Sequence, residues 1–216
     1  NEQYRRWMKI QRSPGESVEV DWAGDPMWFA DPLSGIPTQA WVFVAALSFS
    51  AYTYVEAFTD MTLSSWIEGH VHAFEQFGGV GRLLVPDNLR TGVSRADRYE
   101  PALNPAYAQL AEHYGTAIVP ARVKKPRDKA AAESAVNTVN KRVIGYLAEE
   151  VWTNLDDLNE AITERVKEIN EQIRRADGTT RWERFEAEEL ALLGSLPAER
   201  FEEVEWKQVK AGRNYH

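Results

Sequence analysis

Apolar and polar residues alternate through Ser17-Val18-Glu19-Val20-Asp21-Trp22, the period of a strand with one buried face, and predict a first strand over Glu16 to Ala23. Residues 25–35 carry two Asp-Pro dipeptides and a Ser34-Gly35 pair, which read as turns. Residues 40–50 are an unbroken apolar run suited to a strand buried on both faces. The next stretch, 52–58, is rich in aromatic and β-branched residues and should pair with it as a hairpin. Helical spacing then takes over. Ile67, Val71, Phe74 and Gly78 recur on one face, widened by Trp66, Ala73 and Phe77, with Thr62 or Ser64 as cap and Gly78-Gly79 as stop.

Arg82 to Pro86 predicts a short fourth strand, and 91–101 a polar loop. Pro105 opens a helix through Ala106, Leu110, Ala111 and Tyr114 that Gly115 ends, and 117–120 is a fifth strand. From Arg127 a long helix buries Ala132, Val136, Val139, Val143 and Leu147. Thr153 with Asp156 reads as a capping pair for a helix whose stripe is Leu155, Leu158, Ile162, Val166, Ile169 and Ile173. That stripe favours packing on the domain over a coiled coil. Asp177-Gly178 turns the chain, 181–193 is a further helix, and 204–209 a further strand.

Three strands suited to an antiparallel meander followed by βαβ-like units make this an α/β chain, with a mixed five-stranded sheet flanked by helices and a C-terminal helical extension. The expected organisation is a tether over 1–15, a core over 16–148, the helical extension over 149–193, and over 194–216 a linker with the start of a truncated β-rich domain. The first residue is Asn rather than Met, so an excised segment is expected.

Composition narrows the chemistry. With no Cys among 216 residues, disulfides and thiolate metal sites are excluded and a reducing interior is expected. No apolar run reaches the length of a membrane span. The net charge of −8 disfavours a generic nucleic-acid binder, but its distribution matters more. Arg122, Lys124, Lys125, Arg127 and Lys129 crowd into eight residues with a single acid, Asp128, just before Glu133.

Three carboxylates stand where a site for a hard cation needs them: Asp21 in the first strand, Asp87 at the end of the fourth, and Glu133 early in the helix after the fifth. Glu133 falls about 75° from the centre of its helix's buried stripe, and Asn137 and Lys141 follow on that side one and two turns on. Each acid alone reads more readily as a polar strand position, a turn cap or a first-turn helix acid. Their combination favours a metal site. Asp25 and Asp31 read as turn residues, and Asp60 as a helix cap. His70 and His72, two apart on a helix, point to different sides and do not make a metal pair.

The strand order with carboxylates at these stations resembles the ribonuclease-H-like fold in its integrase and transposase branch. Val20-Asp21-Trp22-Ala23-Gly24-Asp25, Pro86-Asp87-Asn88 and Lys129-Ala130-Ala131-Ala132-Glu133 are similar to segments of IstA-type insertion-sequence transposases. The resemblance covers about residues 15 to 216 and implies that Asp21, Asp87 and Glu133 are catalytic metal ligands. It implies two Mg²⁺ or Mn²⁺ ions, 3′-end cleavage of transposon DNA, and transfer of the freed 3′-hydroxyl into target DNA. It implies, further, DNA contacts from Arg122, Lys124, Lys125, Arg127, Lys129, Asn137 and Lys141, and a homo-oligomer in the synaptic complex. An IstB-type ATPase partner and a place in the bacterial cytoplasm at the nucleoid follow by the same likeness. The chain has no phosphate-binding Gly-x-x-x-x-Gly-Lys loop of its own. Another metal-dependent nuclease of the same fold, or an inactive DNA-binding and assembly module, remain the alternatives.

Overall fold

A computed structural model describes residues 12–86, 93–95, 102–119 and 130–202. The chain opens with β1 (Ser17–Trp22), β2 (Met27–Ala30), β3 (Pro37–Leu47) and β4 (Thr53–Phe58), then α1 (Leu63–Phe77) and β5 (Leu83–Pro86). β3 lies between β1 and β4 and is antiparallel to both, while β5 runs parallel to β1 on its other side. The β3–β4 hairpin turns through Ala51, whose φ of 59° lies in the left-handed region.

The sheet has six strands, one more than expected, because β2 was read as turn. After the hydrogen bond from Ala23 N–H to the Val42 carbonyl, Gly24, Asp25 and Pro26 pass opposite Trp41 alone, and Met27 then pairs with Ala40. Met27 and Phe29 are buried and Trp28 is exposed, a strand alternation too short to stand out between two Asp-Pro pairs. The 91–101 loop also needs correction. β6 (Val93–Arg95) pairs with β7 (Ala102–Leu103) as a separate two-stranded sheet. α2 (Pro105–His113) follows, capped by Asn104, and β8 (Ala117–Ile118) joins β5 in parallel.

Helices cover both faces of the sheet. On one, Val18, Val20, Phe43 and Leu47 pack with α1 and α2. Thr62 caps α1, and Gly78, at φ 67°, ends it. On the other face, Val42, Val44 and Ala46 pack under α3 (Ala130–Val139), a π-helical turn (Asn140–Ile144), α4 (Gly145–Leu147) and α5 (Leu155–Glu171). Val139, Val143, Ile144 and Leu147 are all buried across this turn, Ile144 beyond the stripe that helical spacing marks. The cap of α5 sits one residue later than expected. Asn154 accepts from the Asp157 N–H, and Thr153 instead donates to the Asp157 carboxylate.

α5 packs on the sheet beside β4, as its apolar stripe predicts. It also closes the free edge of that strand. The Asn159 amide exchanges hydrogen bonds with the N–H and carbonyl of Ala57 at 2.7 and 3.0 Å. Three helical turns on, Asn170 does the same for Thr53 at 3.2 and 2.8 Å. After α6 (Arg181–Arg184) the expected helix over 181–193 becomes a π-helical turn, Phe185–Glu189, and a 3-10 turn, Leu190–Leu192. Phe185 stacks on Tyr52 at 4.4 Å, and Gly194 bridges to Val80. No helix among the described residues is long and apolar enough to cross a membrane.

Candidate active site

Asp21 lies near the C-terminal end of β1, paired with Val44 of β3. Alternation along β1 sends Val18, Val20 and Trp22 toward the α1 face, and Glu19, Asp21 and Ala23 toward the face beneath α3. Asp21 is half-buried there, and its Oδ1 accepts the Trp22 N–H at 2.9 Å. The Trp22 indole anchors this strand end by packing edge-on against Phe43 and Phe58 and obliquely against Trp66.

Val20 pairs with Pro86, so the described part of β5 ends beside the residue before Asp21. Asp87 is covalently next, and itself lies outside the described residues. α3 packs against β1 and β3. Glu133 is the fourth residue of that helix, and its side chain lies outside the description. Among the described residues no three acids or histidines gather as ligands. Arg122, Lys124, Lys125, Arg127 and Lys129 also lie outside the described residues, whereas Asn137 and Lys141 are exposed one helical turn apart.

The described histidines and two of the competing acids, Asp31 and Asp60, are engaged elsewhere. His70 is fully buried on α1, with Nδ1 2.7 Å from the Trp66 carbonyl and Nε2 3.1 Å from the Tyr107 hydroxyl. Burial pushes its pKa down to about 4. His72 faces out, with Nδ1 2.8 Å from Glu56, a contact that raises its pKa, so the two rings do not share a ligand. His113 is held 2.9 Å from the Glu199 carbonyl. Asp31 binds its own turn through Ser34 and Leu33, and Asp60 supports the α1 cap through Ser65 and Thr62. Hydrogen bonds to these groups hold both carboxyls below the usual range.

Two buried acids were passed over in the sequence, Glu189 and, near Asp21, Glu19. Glu19, two residues before Asp21 on the same strand face, takes a 3.0 Å hydrogen bond from Ser48 Oγ and lies 3.3 Å from Arg12. Its matching parity with Asp21 was the available signal. The donors on offer at this end of β1 are carboxylate oxygens, with no thiolate in the chain and the described imidazoles committed elsewhere. That set fits a hard divalent cation.

No family model matches the chain. Among curated proteins it is 36% identical over 223 residues to "Putative transposase y4uI" of Sinorhizobium fredii, covering 100% of this chain and 43% of that protein. It is 39% identical over 223 residues to "Putative transposase for insertion sequence IS1162" of Pseudomonas fluorescens, covering 100% and 40%. To "Putative transposase for insertion sequence IS408" of Burkholderia multivorans it is 37% identical over 213 residues, covering 98% and 41%. The chain thus spans about two fifths of the length of these relatives.

Among solved structures, the magnesium complex of the HTLV-2 integrase catalytic core domain aligns with a TM-score of 0.54 at 15% identity, covering 79% of this chain and 95% of that one. The catalytic core domain of BIV integrase aligns at 0.56 and 12%, covering 79% and 93%. A simian T-cell lymphotropic virus intasome chain aligns at 0.60 and 16%, covering 95% and 63%. The chain belongs to the insertion-sequence transposases and carries the ribonuclease-H-like fold of the retroviral integrase catalytic cores.

Proposed function

We propose that the chain is the catalytic segment of a transposase that cleaves the 3′ ends of its element and joins them to target DNA, with 16–148 as core and 149–193 as helical extension. One observation carries the reading. β1 brings Asp21 beside the strand end that leads into Asp87, and α3, which bears Glu133, lies against that same strand. Asp21, Asp87 and Glu133 would hold Mg²⁺ or Mn²⁺. A pair of such ions activates an attacking oxygen and stabilises a leaving oxygen at one phosphorus.

The chain's own residues do the rest. Trp22 N–H fixes one oxygen of Asp21, so the carboxylate is oriented before DNA arrives. Lys141 and Asn137 present a cation and an amide to solvent on the helix that carries Glu133. With the basic segment 122–129 they would track the DNA backbone and hold the scissile phosphate over the carboxylates. Water attacks that phosphate in the first step and releases a 3′-hydroxyl. In the second, the hydroxyl oxygen forms a new P–O bond to target DNA as the target's own 3′-oxygen leaves. Each displacement forms one P–O bond to the attacking oxygen as one P–O bond to the leaving 3′-oxygen breaks, and consumes no ATP. Subunits pair to synapse two ends, and an IstB-type ATPase as helper belongs to the same proposal.

The test mixes a pre-cleaved element-end duplex with plasmid and Mg²⁺ or Mn²⁺, with and without the ATPase, for the native chain and for Asp21→Asn, Asp87→Asn and Glu133→Gln. Loss of joined product in all three variants, with end binding retained, is the expected result. Normal strand transfer by any of them refutes its role as a ligand. Metal-dependent cutting without joining would identify a nuclease instead.

A further inference from the structure

Residues 134–148, from the one after Glu133 through α4, hold no acid in a chain with 33 Asp and Glu. Lys141 and Arg142 stand exposed in the π-helical turn within that stretch. Arg165 of α5 lies against the same turn. Its Nε and Nη2 donate to the Arg142 carbonyl at 3.4 and 3.3 Å, and its guanidinium stacks 3.8 Å over the exposed Tyr146 ring. Glu168 balances the charge of Arg165, whereas the Arg142 guanidinium faces solvent without such a partner among the described residues.

Further along α5 the row continues. Arg181 Nη1 donates to the Ile169 carbonyl at 3.0 Å, and Arg175 Nη1 to the Ser50 carbonyl at 2.5 Å. Arg184 stacks 4.0 Å over the ring of Phe49, the neighbour of Ser50. A carbonyl takes one of the five N–H donors of a guanidinium and none of its charge. No ion pair joins Arg142, Arg175 or Arg181 to a carboxylate among the described residues, and nearby Asp177 is tied to Thr179 and Arg184. Burial, and then the charges of Arg175 and Arg142, lower the pKa of Arg181, while burial and then Arg184 lower that of Arg175. The guanidiniums are therefore close enough to repel one another, yet the fold holds them there on backbone carbonyls. Closing the end of α5 needs one cation, not a row of them.

The row leads away from the catalytic end. Asp21 is near the C-terminal end of β1, and Ser17, at the other end, bonds Ser48 of the hairpin turn on which Arg175 and Arg184 sit. From Asp21 back to Ser17 is four residues of strand, about 13 Å or roughly four base pairs of duplex. Asn137, Lys141 and Arg142 follow Glu133 along one helix toward α5. Guanidiniums without carboxylates, set out over several nucleotides, suit successive backbone phosphates, which accept their forked bonds. We propose that Arg142, Arg175 and Arg181 bind phosphates of the DNA duplex several base pairs from the scissile site, so that the helical extension is a second DNA-binding surface. It is separate from the basic segment 122–129, and it rests on the transposase reading for the identity of the polyanion.

Backbone contacts carry no sequence information, so the probe is a duplex of arbitrary sequence, about 30 base pairs long, bound without metal and followed by fluorescence anisotropy over a range of salt. The native chain is compared with Arg142→Gln, with Arg142→Gln combined with Arg175→Gln, and with Arg200→Gln, which removes the same charge beside Glu75 of α1. The slope of log affinity against log salt should fall by about 1 in the single variant and about 2 in the double, and stay native in Arg200→Gln. Arg142 is exposed and makes no ion pair among the described residues, so the single variant decides the matter even where thermal melts show the double to be unsettled. A native chain that does not bind the duplex, slopes unchanged in both variants, or an equal fall in Arg200→Gln overturns the proposal. So does poly-glutamate that binds the native chain and not the double variant while the duplex slopes stay native, which would give the arginines to an acidic protein segment. This binding needs neither metal nor joining. Absent strand transfer with these slope changes intact would therefore sink the catalytic reading and leave the phosphate site standing.

Discussion

His70 sits on the α1 side with its ring nitrogens engaged by the Trp66 carbonyl and the Tyr107 hydroxyl. The fold favours its neutral form, down to a pKa of about 4 against an ordinary 6.5. Its contribution is therefore fully present above pH 6.5 and lost as pH falls toward 4. Urea unfolding at pH 5 and pH 7 should show a stability loss on acidification that His70→Leu reduces. An identical pH slope in the variant refutes the assignment. His72 works in the opposite sense. Glu56 raises its pKa, so that contribution is complete below pH 6.5 and lost as pH rises through the raised value. Gly69 is a second residue-scale case. A Cβ there would stand 2.8 Å from the buried Phe43 ring. Gly69→Ala gains about 1 kcal/mol of helix propensity, yet overpacking should cost about 1–3 kcal/mol, and chemical denaturation reads the balance. A net stabilisation would mean the ring can move aside.

At the scale of elements, α5 treats β4 as a strand would. Asn159 and Asn170 each satisfy one backbone N–H and one carbonyl on an edge otherwise open to pairing. Asn170 is buried, and Asn170→Leu would strand the Thr53 backbone groups away from water, for a loss of about 2–4 kcal/mol. The double variant with Asn159→Leu should also aggregate faster, as measured by light scattering. Unchanged scattering would show that α5 guards the edge by packing alone. The π-helical turn after α3 is an element-scale device of a related kind. It lets one helix lie on β1 and β3 at its start and still bury Ile144 and Leu147 at its end.

Across the whole molecule, the chain beyond α5 returns to the opposite face of the sheet. Phe185 and Trp182 pack on Tyr52, and buried Glu189 accepts from Gly15 N–H and Ser50 N–H, both at 3.1 Å. Leu193, Leu196 and Phe201 lie against the α1 core. A chain ending at Thr180 is therefore expected to bind a hydrophobic dye and lose near-ultraviolet dichroism, since it bares Tyr52 and Phe77. A cooperative native-like melt of that truncation would show the segment to be dispensable. Glu189→Ala should cost about 2–4 kcal/mol by stranding the two N–H groups at once.

The order of strands and helices was legible in local pattern, because burial on a sheet face or helix stripe imposes periods of 2 and 3.6 on the chain. Periodicity marked β1, α1 and α5, an unbroken apolar run marked β3, and aromatic and β-branched composition marked β4. The insertion-sequence motifs around Asp21, Asp87 and Glu133 were likewise visible in linear order. β2 and β6 were hidden, since three or four residues between turn signals carry too few repeats to register. Tertiary structure alone decided what depends on a distant partner. It set Asn159 and Asn170 against an edge 102 and 117 residues away, buried Glu189 beside Gly15, and widened a helical turn to fit the sheet beneath. It also brought β1, the end of β5 and α3 together. Spacing along a chain measures contour, whereas a polar group's partner and a carboxylate's neighbours are set by which surfaces close on each other when the sheet forms.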